Sequence, residues 1–353
     1  MSKEGIYGKT ARYDRDFLVS TENKKYKVTH LGDLCYNPAN LKFGVICLNT
    51  YGDAIFSPIN VTFEIEASID HDFIGAYLTR WDFINRALKY QQGTVYERMA
   101  VSPEDFVSIK CCFPQKAEQT RLAEFITLLD KRIAAQGKYV ESLKKYKRGV
   151  VRTLLSPKRC SIKNVKWTTS RIGDIGTFIK GAPLSKADIS LEGTPFILYG
   201  ELYTTYSEVI SNVVRKTQAS ADKQYYSQIG DVIIPTSGET PEEISTASCV
   251  MLPDIILAGD LNIYRCTQVD GRIMSYILNH VVNDRIARIA QGKSVVHVQA
   301  AEISKIEITY PDPFSQKTII AILAAISDRI DQSNAELRLL HELRKALLQK
   351  LFI

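Results

Sequence analysis

Residues 122–154 read LAEFITLLDKRIAAQGKYVESLKKYKRGVVRTL, and residues 319–351, 197 positions later, read IIAILAAISDRIDQSNAELRLLHELRKALLQKL. In both stretches apolar residues recur at alternating steps of four and three, which is the spacing of a coiled-coil seam. The seam positions of the first stretch are Leu122, Ile126, Leu129, Ile133, Val140, Leu143, Val150 and Leu154. Their equivalents are Ile319, Leu323, Ile326, Ile330, Leu337, Leu340, Leu347 and Leu351, all apolar. The repeat predicts two long helices and two similar units related by a pseudo-two-fold.

The interruptions of the seam repeat as well. Gln136 matches Ser333, and Lys147 matches Arg344. A cation at a seam position destabilises the pair if it is buried without a partner. Three explanations stay open: the side chain extends past the seam end to solvent, it controls the register, or it contacts phosphate or a partner.

The repeat extends into the segments that precede the helices. The matched steps are Leu31-Gly32-Asp33-Leu34 with Ile229-Gly230-Asp231-Val232, Gln92-Gly93 with Gln291-Gly292, and Pro114 with Pro311. Short runs of β-branched and aromatic residues predict strands between these steps, and one helical stretch is expected in each copy, near Phe73–Gln91 and Met274–Ala290. The predicted fold class is α+β, with two pseudo-repeated mixed α/β domains separated by two long antiparallel coiled-coil helices.

Four segments follow from this pattern. We expect a first domain at 1–113, a central helix at 114–157, a second domain at 158–312 and a C-terminal helix at 313–353. Residues 158–199 have no counterpart in the first copy, so the first domain is expected to be incomplete at its N-terminal side. It would then expose apolar surface and recognise its ligand poorly, or only when another polypeptide complements it.

The excess positive charge is concentrated on the first helix. Residues 116–158 hold 11 Lys and Arg and 4 Asp and Glu, whereas 313–353 hold 6 and 4; the remainder, with 45−11−6 = 28 basic and 39−4−4 = 31 acidic residues, is net −3. A solvated helix face would explain this charge. The functional alternative is a strip that contacts phosphate or docks a partner. The residues predicted for such a strip are Lys144, Lys145, Lys147, Arg148, Arg344 and Lys345.

The sequence contains no convincing catalytic or targeting motif. Gly292-Lys293-Ser294 resembles the end of a phosphate-binding loop, but Ala287 stands where the first glycine is required. The five histidines lack metal-ligand spacing. No stretch approaches the roughly 20 apolar residues of a membrane span, the first residues are too polar for a secretory signal, and an odd number of cysteines without CxxC indicates reduced thiols. We therefore expect a cytoplasmic protein that is not an enzyme and binds no metal.

Several motifs, taken in order, resemble one known family. Pro-x4-Gln begins each helix, Leu-Leu-Asp-Lys-Arg-Ile lies at 128–133, and Leu-x3-Lys-x6-Leu-Leu spans 143–155. Trp-x3-Arg-Ile-Gly-Asp at 167–174 resembles the opening of a target-recognition domain. The chain as a whole is similar to the specificity (S) subunits of type I restriction–modification systems. The motifs are loose individually, and their order and duplication carry the resemblance.

The resemblance implies two target-recognition domains that each read half of a split double-stranded DNA sequence. It implies docking of two methyltransferase (M) subunits, with restriction (R) subunits joining in the full complex. S-adenosylmethionine, ATP and Mg²⁺ would belong to those partners, and this chain would bind no cofactor. Independently, a helix of roughly 38 residues spans on the order of 55 Å, about one and a half turns of B-DNA, so helix length could set the unread spacer.

Polar loops are the expected base-reading elements, because base edges are read by hydrogen-bond donors and acceptors. The candidate DNA-binding residues are Lys180, Lys186, Thr236, Ser237, Lys293, Ser294, His297, Gln92, Thr94 and Arg98. Ordinary turn chemistry would explain any one of them.

Two other functions stay open. A coiled-coil scaffold whose globular units bind proteins would show no salt-dependent DNA binding. A recognition subunit of a related methyltransferase–nuclease system outside type I is the second alternative.

Overall fold

The computed structural model describes residues 1–2, 5–8, 26–93, 99–290 and 296–351, without the side chain of Glu242. The chain forms two compact units, which we call unit 1 (Met1–Tyr139 with Ser333–Ile353) and unit 2 (Val140–Gln332). Each unit takes part of both long helices, whereas the sequence pattern divided the chain at the helix ends. The four-segment division stays a prediction.

Unit 1 contains a small antiparallel sheet covered on one face by helices. Its elements before the first long helix are β1 (Lys27–Thr29), β2 (Leu34–Tyr36), β3 (Ile46–Leu48), β4 (Ala54–Phe56), β5 (Val61–Phe63), α1 (His71–Leu78), α2 (Trp81–Leu88) and α3 (Pro103–Ser108). The strands form a three-stranded sheet in the order β3-β2-β5 and a two-stranded sheet of β1 and β4. Leu34, Tyr36 and Val61 pack against α1, α2 and α3 in one apolar core.

The two long helices are α4 (Lys116–Leu154) and α10 (Pro313–Leu351), 39 residues each. All sixteen predicted seam residues are buried or half-buried. Arg132 is paired with Glu336 at 2.7 Å, and the Gln136 Nε2 donates to the carbonyl of Ser333 at 3.1 Å. The residue numbers of these contacts rise along α4 and fall along α10, so the antiparallel pairing is confirmed.

Unit 2 has more strands than unit 1 has among its described residues. Its elements between the long helices are β6 (Trp167–Arg171), β7 (Gly176–Lys180), β8 (Ile189–Ser190), β9 (Thr194–Leu198), α5 (Glu201–Thr204), β10 (Val209–Ile210), β11 (Lys216–Thr217), β12 (Asp231–Pro235), β13 (Ser237–Gly238), α6 (Pro241–Ile244), β14 (Ser248–Val250), β15 (Ile256–Ala258), β16 (Leu261–Cys266), α7 (Gly271–His280), α8 (Asn283–Ile289), β17 (Val296–His297), α9 (Ala300–Ser304) and β18 (Glu307–Pro311). A five-stranded sheet runs β10-β14-β12-β16-β7, and a four-stranded sheet runs β15-β9-β11-β8. The α+β fold class is confirmed.

The same three-stranded frame occurs in both units. β2 lies between β3 and β5, as β12 lies between β14 and β16, with antiparallel pairing throughout. Each central strand follows the repeated Gly-Asp step, where the aspartate accepts from the backbone three residues earlier: Asp33 from His30 at 2.7 Å and Asp231 from Gln228 at 2.9 Å. The Gly-Asp repeat is therefore a turn signal.

A glutamine brace explains the Pro-x4-Gln motif. Gln119 donates to the carbonyl of Pro114 and accepts from the amide of Asp70, both at 2.9 Å. Gln316 does the same in unit 2, with Pro311 and Asp270, both at 2.8 Å. Both glutamines are buried, and both aspartates cap the helix that follows. The motif fixes the start of each long helix on its own unit.

The predicted single helical stretch of each copy is two helices in the structure. The first stretch breaks between α1 and α2 at Thr79, whose hydroxyl donates to the carbonyl of Gly75 at 2.9 Å. The second breaks between α7 and α8 at Val281–Val282, two β-branched residues that disfavour helix continuation. The sequence period could not show this, because the apolar positions on either side stay in phase.

Candidate nucleic-acid interface

Three predicted base-reading residues of unit 2 lie together. β13 pairs with β17 so that Ser237 is opposite His297, and the carbonyl of Thr236 accepts from the amide of Val298 at 3.1 Å. His297 is exposed and Thr236 half-exposed. Ser237 is buried, and its hydroxyl donates to Asp260 at 3.2 Å. His297 therefore presents its ring to solvent, whereas Ser237 has a structural role in the pairing of β13 with β17.

Lys180 and Lys186 belong to a different loop of unit 2. Lys180 ends β7, and Lys186 begins a short 3-10 turn capped by Ser185, whose hydroxyl accepts from the amide of Ala187 at 3.2 Å. Both lysines are exposed, so they are free to reach a phosphate.

Gln92 is the predicted reading residue of unit 1 that the structure describes. Its backbone pairs with Ala100, with both hydrogen bonds at 2.9 Å, and its side chain donates to Asp105 at 3.2 Å. This bridge joins the described residues on the two sides of Thr94 and Arg98. Those two residues, and Lys293 and Ser294 in unit 2, lie outside the described residues.

The seam cation Lys147 lies in a buried polar network within unit 2. Its ammonium donates to Glu208 at 2.8 Å and lies 5.3 Å from the ring centre of Tyr276, while His280 contacts the other oxygen of Glu208 at 2.7 Å. Burial alone would raise the pKa of Glu208, but the hydrogen bond from His280 and the charge and hydrogen bond of Lys147 outweigh it and hold that pKa at about 2. The network keeps the carboxylate charged.

The equivalent cation of unit 1, Arg344, is held differently. Its guanidinium binds both oxygens of Asp130 on the facing helix. Such a bidentate pair is geometrically specific. Lys147 and Arg344 are therefore engaged inside their own units, and neither side chain extends freely into solvent.

The rest of the basic strip faces water. Lys145, Arg148 and Lys345 are exposed, and Lys144 is half-exposed and paired with Glu141 at 2.9 Å. In the part of the chain that the structure describes, no group of His, Cys, Asp and Glu residues could hold a metal ion. None of the described helices is long and apolar enough to cross a membrane.

The family model for the type I restriction–modification DNA specificity domain matches residues 164–341. The chain belongs to this family. The match begins just before β6 and ends within α10, so it includes the segments of unit 2 that hold the predicted base-reading residues, and much of one long helix.

Solved structures extend the likeness of this S subunit to the whole fold. A chain of a type I restriction–modification system, from work on its complex assembly and conformational transition, is 16% identical with a TM-score of 0.63; the match covers 94% of this chain and 84% of that one. The type I S subunit from M. genitalium is 16% identical with a TM-score of 0.56, over 93% and 84%. At this identity the likeness concerns the fold. No curated protein matches the chain.

Exposed apolar residues on the long helices of each unit were missed by the sequence pattern. Phe125 and Leu343 are each 48% exposed. Phe125 precedes Arg132 by seven residues and Leu343 follows Glu336 by seven, so both lie two turns from the Arg132–Glu336 ion pair on the same side of the antiparallel helices. Their repeat equivalents, Ile322 and Tyr146, are also exposed. We call these four residues the apolar flank; a second heptad stripe beside the seam was the signal for it.

Proposed function

We propose that this S subunit reads a bipartite DNA sequence, one half with each unit, and docks two M subunits without catalysing any reaction itself. One observation carries the proposal: the same frame, Gly-Asp turn and glutamine brace occur in both units, each fixed to the start of a long helix. Like frames with unlike loops are what two different half-sites require. R subunits would join in the full complex, in the cytoplasm.

The apolar flank supports docking at equivalent places on the two units. Each unit carries one apolar pair, Phe125 with Leu343 in unit 1 and Tyr146 with Ile322 in unit 2. Exposed apolar pairs rimmed by charge are typical of protein interfaces. Under this proposal S-adenosylmethionine, ATP and Mg²⁺ are bound by the M and R subunits.

Methylation-site mapping tests the proposal. In cells that carry this S subunit and its matching M subunit, we expect methylated adenines within an asymmetric two-part motif. His297→Ala should relax the sequence preference in one half of the motif only. Gln92→Ala should leave that half intact, whether or not it relaxes the sequence preference in the other half. Both halves changing together, or methylation without any motif, would reject one half-site per unit.

A preparation of the chain alone should show no methyltransferase, nuclease or ATPase activity. Lys131→Ala serves as the matched control in mapping, since Lys131 is exposed on α4 and lies outside both the basic strip and the candidate reading loops. Activity in the isolated chain would reject the non-catalytic role.

A further inference from the structure

Unit 1 leaves an apolar groove open beside β5. The groove has a volume of about 420 Å³, and its lining includes Leu34, Phe63, Ile65, Phe106, Ile109 and Phe113. A second cavity of about 580 Å³ shares Glu64 and Ile65 with it. Among the described residues β5 pairs with β2 alone, so its outer edge offers unpaired backbone groups. We call this region the open groove.

A second unpaired edge borders the open groove. Residues 110–113 precede α4 as β18 precedes α10, and β18 pairs with β6 along its whole length in unit 2. In unit 1 residues 110–113 form no strand with any described residue. The groove thus lies between the open edge of β5 and the unpaired backbone of residues 110–113.

In unit 2 the same place is filled by residues 167–180. β6 pairs with β18, Ile172 is fully buried, and β7 pairs with β16 with Phe178 opposite Tyr264. Tyr264 packs its ring 4.7 Å from that of Phe178 and donates to the carbonyl of Ile172 at 2.7 Å. Leu34 and Val232 occupy equivalent positions of the repeat. Leu34 is opposite Phe63 and Val232 is opposite Tyr264, so Phe63 is the counterpart of Tyr264.

The turn between the two filling strands lies tightly against a helix. A Cβ on Gly173 would lie 2.9 Å from the Cβ of Ser304 at the end of α9. Val107, at the end of α3, is the repeat equivalent of Ser304 and is 64% exposed. The surface that Gly173 covers in unit 2 is therefore bare among the described residues of unit 1.

We propose that the open groove binds a strand–turn–strand segment of a second polypeptide, with the apolar pattern of residues 167–180. The charged residues at the two sides of the groove indicate which charges the bound segment carries. Arg171 is opposite Glu307 in unit 2, but the equivalent of Glu307 is Lys110, so the bound segment carries an acid there. Thr177 is opposite Arg265, whose equivalent is Glu64, so the segment carries a base there. This partner is a polypeptide, and the inference holds whatever DNA the chain reads.

Hydrogen exchange of the full chain tests the groove directly. In the isolated chain the amides of 61–65 that do not face β2, and those of 110–113, should exchange fast. The amides of 262–266, and those of 307–310 that pair with β6, should be protected. The probes are two peptides with the sequence of residues 165–181, both with Thr177→Lys, one keeping Arg171 and one carrying Arg171→Glu. The Arg171→Glu peptide should protect 61–65 and 110–113 and bind about two- to fivefold more tightly than the other.

Two protein variants make the result specific. Lys110→Glu should reverse the preference between the two peptides, and Val107→Asp should weaken both. Leu191→Asp is the matched control, because Leu191 is 97% exposed in unit 2, and it should change neither. Protection, in the isolated chain, of 110–113 and of the amides of 61–65 that face away from β2 would overturn the proposal, as would no protection by either peptide. Protection that rises with protein concentration alone would replace the partner with a second copy of this chain.

Discussion

The seam cations Lys147 and Arg344 occupy equivalent positions but have unlike partners. Lys147 is paired with Glu208 in its unit's globular part, and Arg344 with Asp130 on the facing helix. A buried charge is tolerated in a protein only when a partner compensates its lost hydration. Each cation therefore forms a stabilising ion pair, and the acidic partner differs between the units.

Removing the charge of Lys147 should destabilise unit 2. Lys147→Met keeps the length of the side chain but leaves Glu208 with one fewer partner in a buried site. We expect a loss of about 3 kcal/mol in the free energy of unfolding, measured by urea denaturation. Arg148→Met, at the exposed neighbouring position, should stay within about 0.5 kcal/mol of the parent. Equal effects of the two substitutions on the free energy of unfolding would contradict a stabilising role of the Lys147–Glu208 ion pair.

Glu208 should make stability fall in acid. Its pKa is about 2 in the folded chain against an ordinary value of 4.5. A carboxyl with a depressed folded pKa contributes stability that is present above its unfolded pKa and lost as the pH falls through the folded one. We expect thermal stability to decline between pH 5 and pH 2 more steeply in the parent than in Glu208→Gln. Parallel curves would show that another group controls the decline.

At the scale of elements, the seam is where sequence and structure agree most closely. Its period is local and repeated, so helix length, pairing and the buried face could all be predicted. The partners of Lys147 could not, because Glu208, Tyr276 and His280 come from distant points in the chain. The burial of Ser237 was likewise invisible, since a Thr-Ser-Gly run is typical both of an exposed loop and of a short ladder.

One substitution in the seam should separate buried from exposed positions of α4. Ile126 is buried, whereas Leu128, two residues further, is 64% exposed. Ile126→Asp buries an unpaired charge and should cost roughly 3–5 kcal/mol of unfolding free energy. Leu128→Asp is the matched control and should change it by under about 1 kcal/mol. Similar thermal unfolding of the two variants would be incompatible with the antiparallel helix pairing.

At the scale of the whole molecule, the apolar flank should carry M-subunit docking. Phe125→Ser and Leu343→Ser remove exposed apolar surface without entering the seam. We expect unchanged thermal unfolding of the chain and at least tenfold weaker capture of M subunits, an effect in the range of interface anchors. Leu191→Ser, at a position that is 97% exposed in a loop of unit 2, should bind M subunits normally. Full binding by the double variant would remove the Phe125–Leu343 pair from the interface.

Charge reversal on α4 distinguishes phosphate binding from docking. Lys144→Glu, Lys145→Glu and Arg148→Glu together change the strip by six charges without touching the buried Lys147. If the strip binds DNA, the complex with M subunits should lose affinity, and the slope of log affinity against log salt should become shallower by about one for each phosphate that the strip no longer neutralises. If the strip docks M subunits, complex formation should fail while the isolated chain unfolds as before. Docking is the expected outcome, because the long helices recur in both units and the proposed docking of two M subunits requires equivalent sites. Normal assembly together with an unchanged salt slope would leave the strip a solvated face.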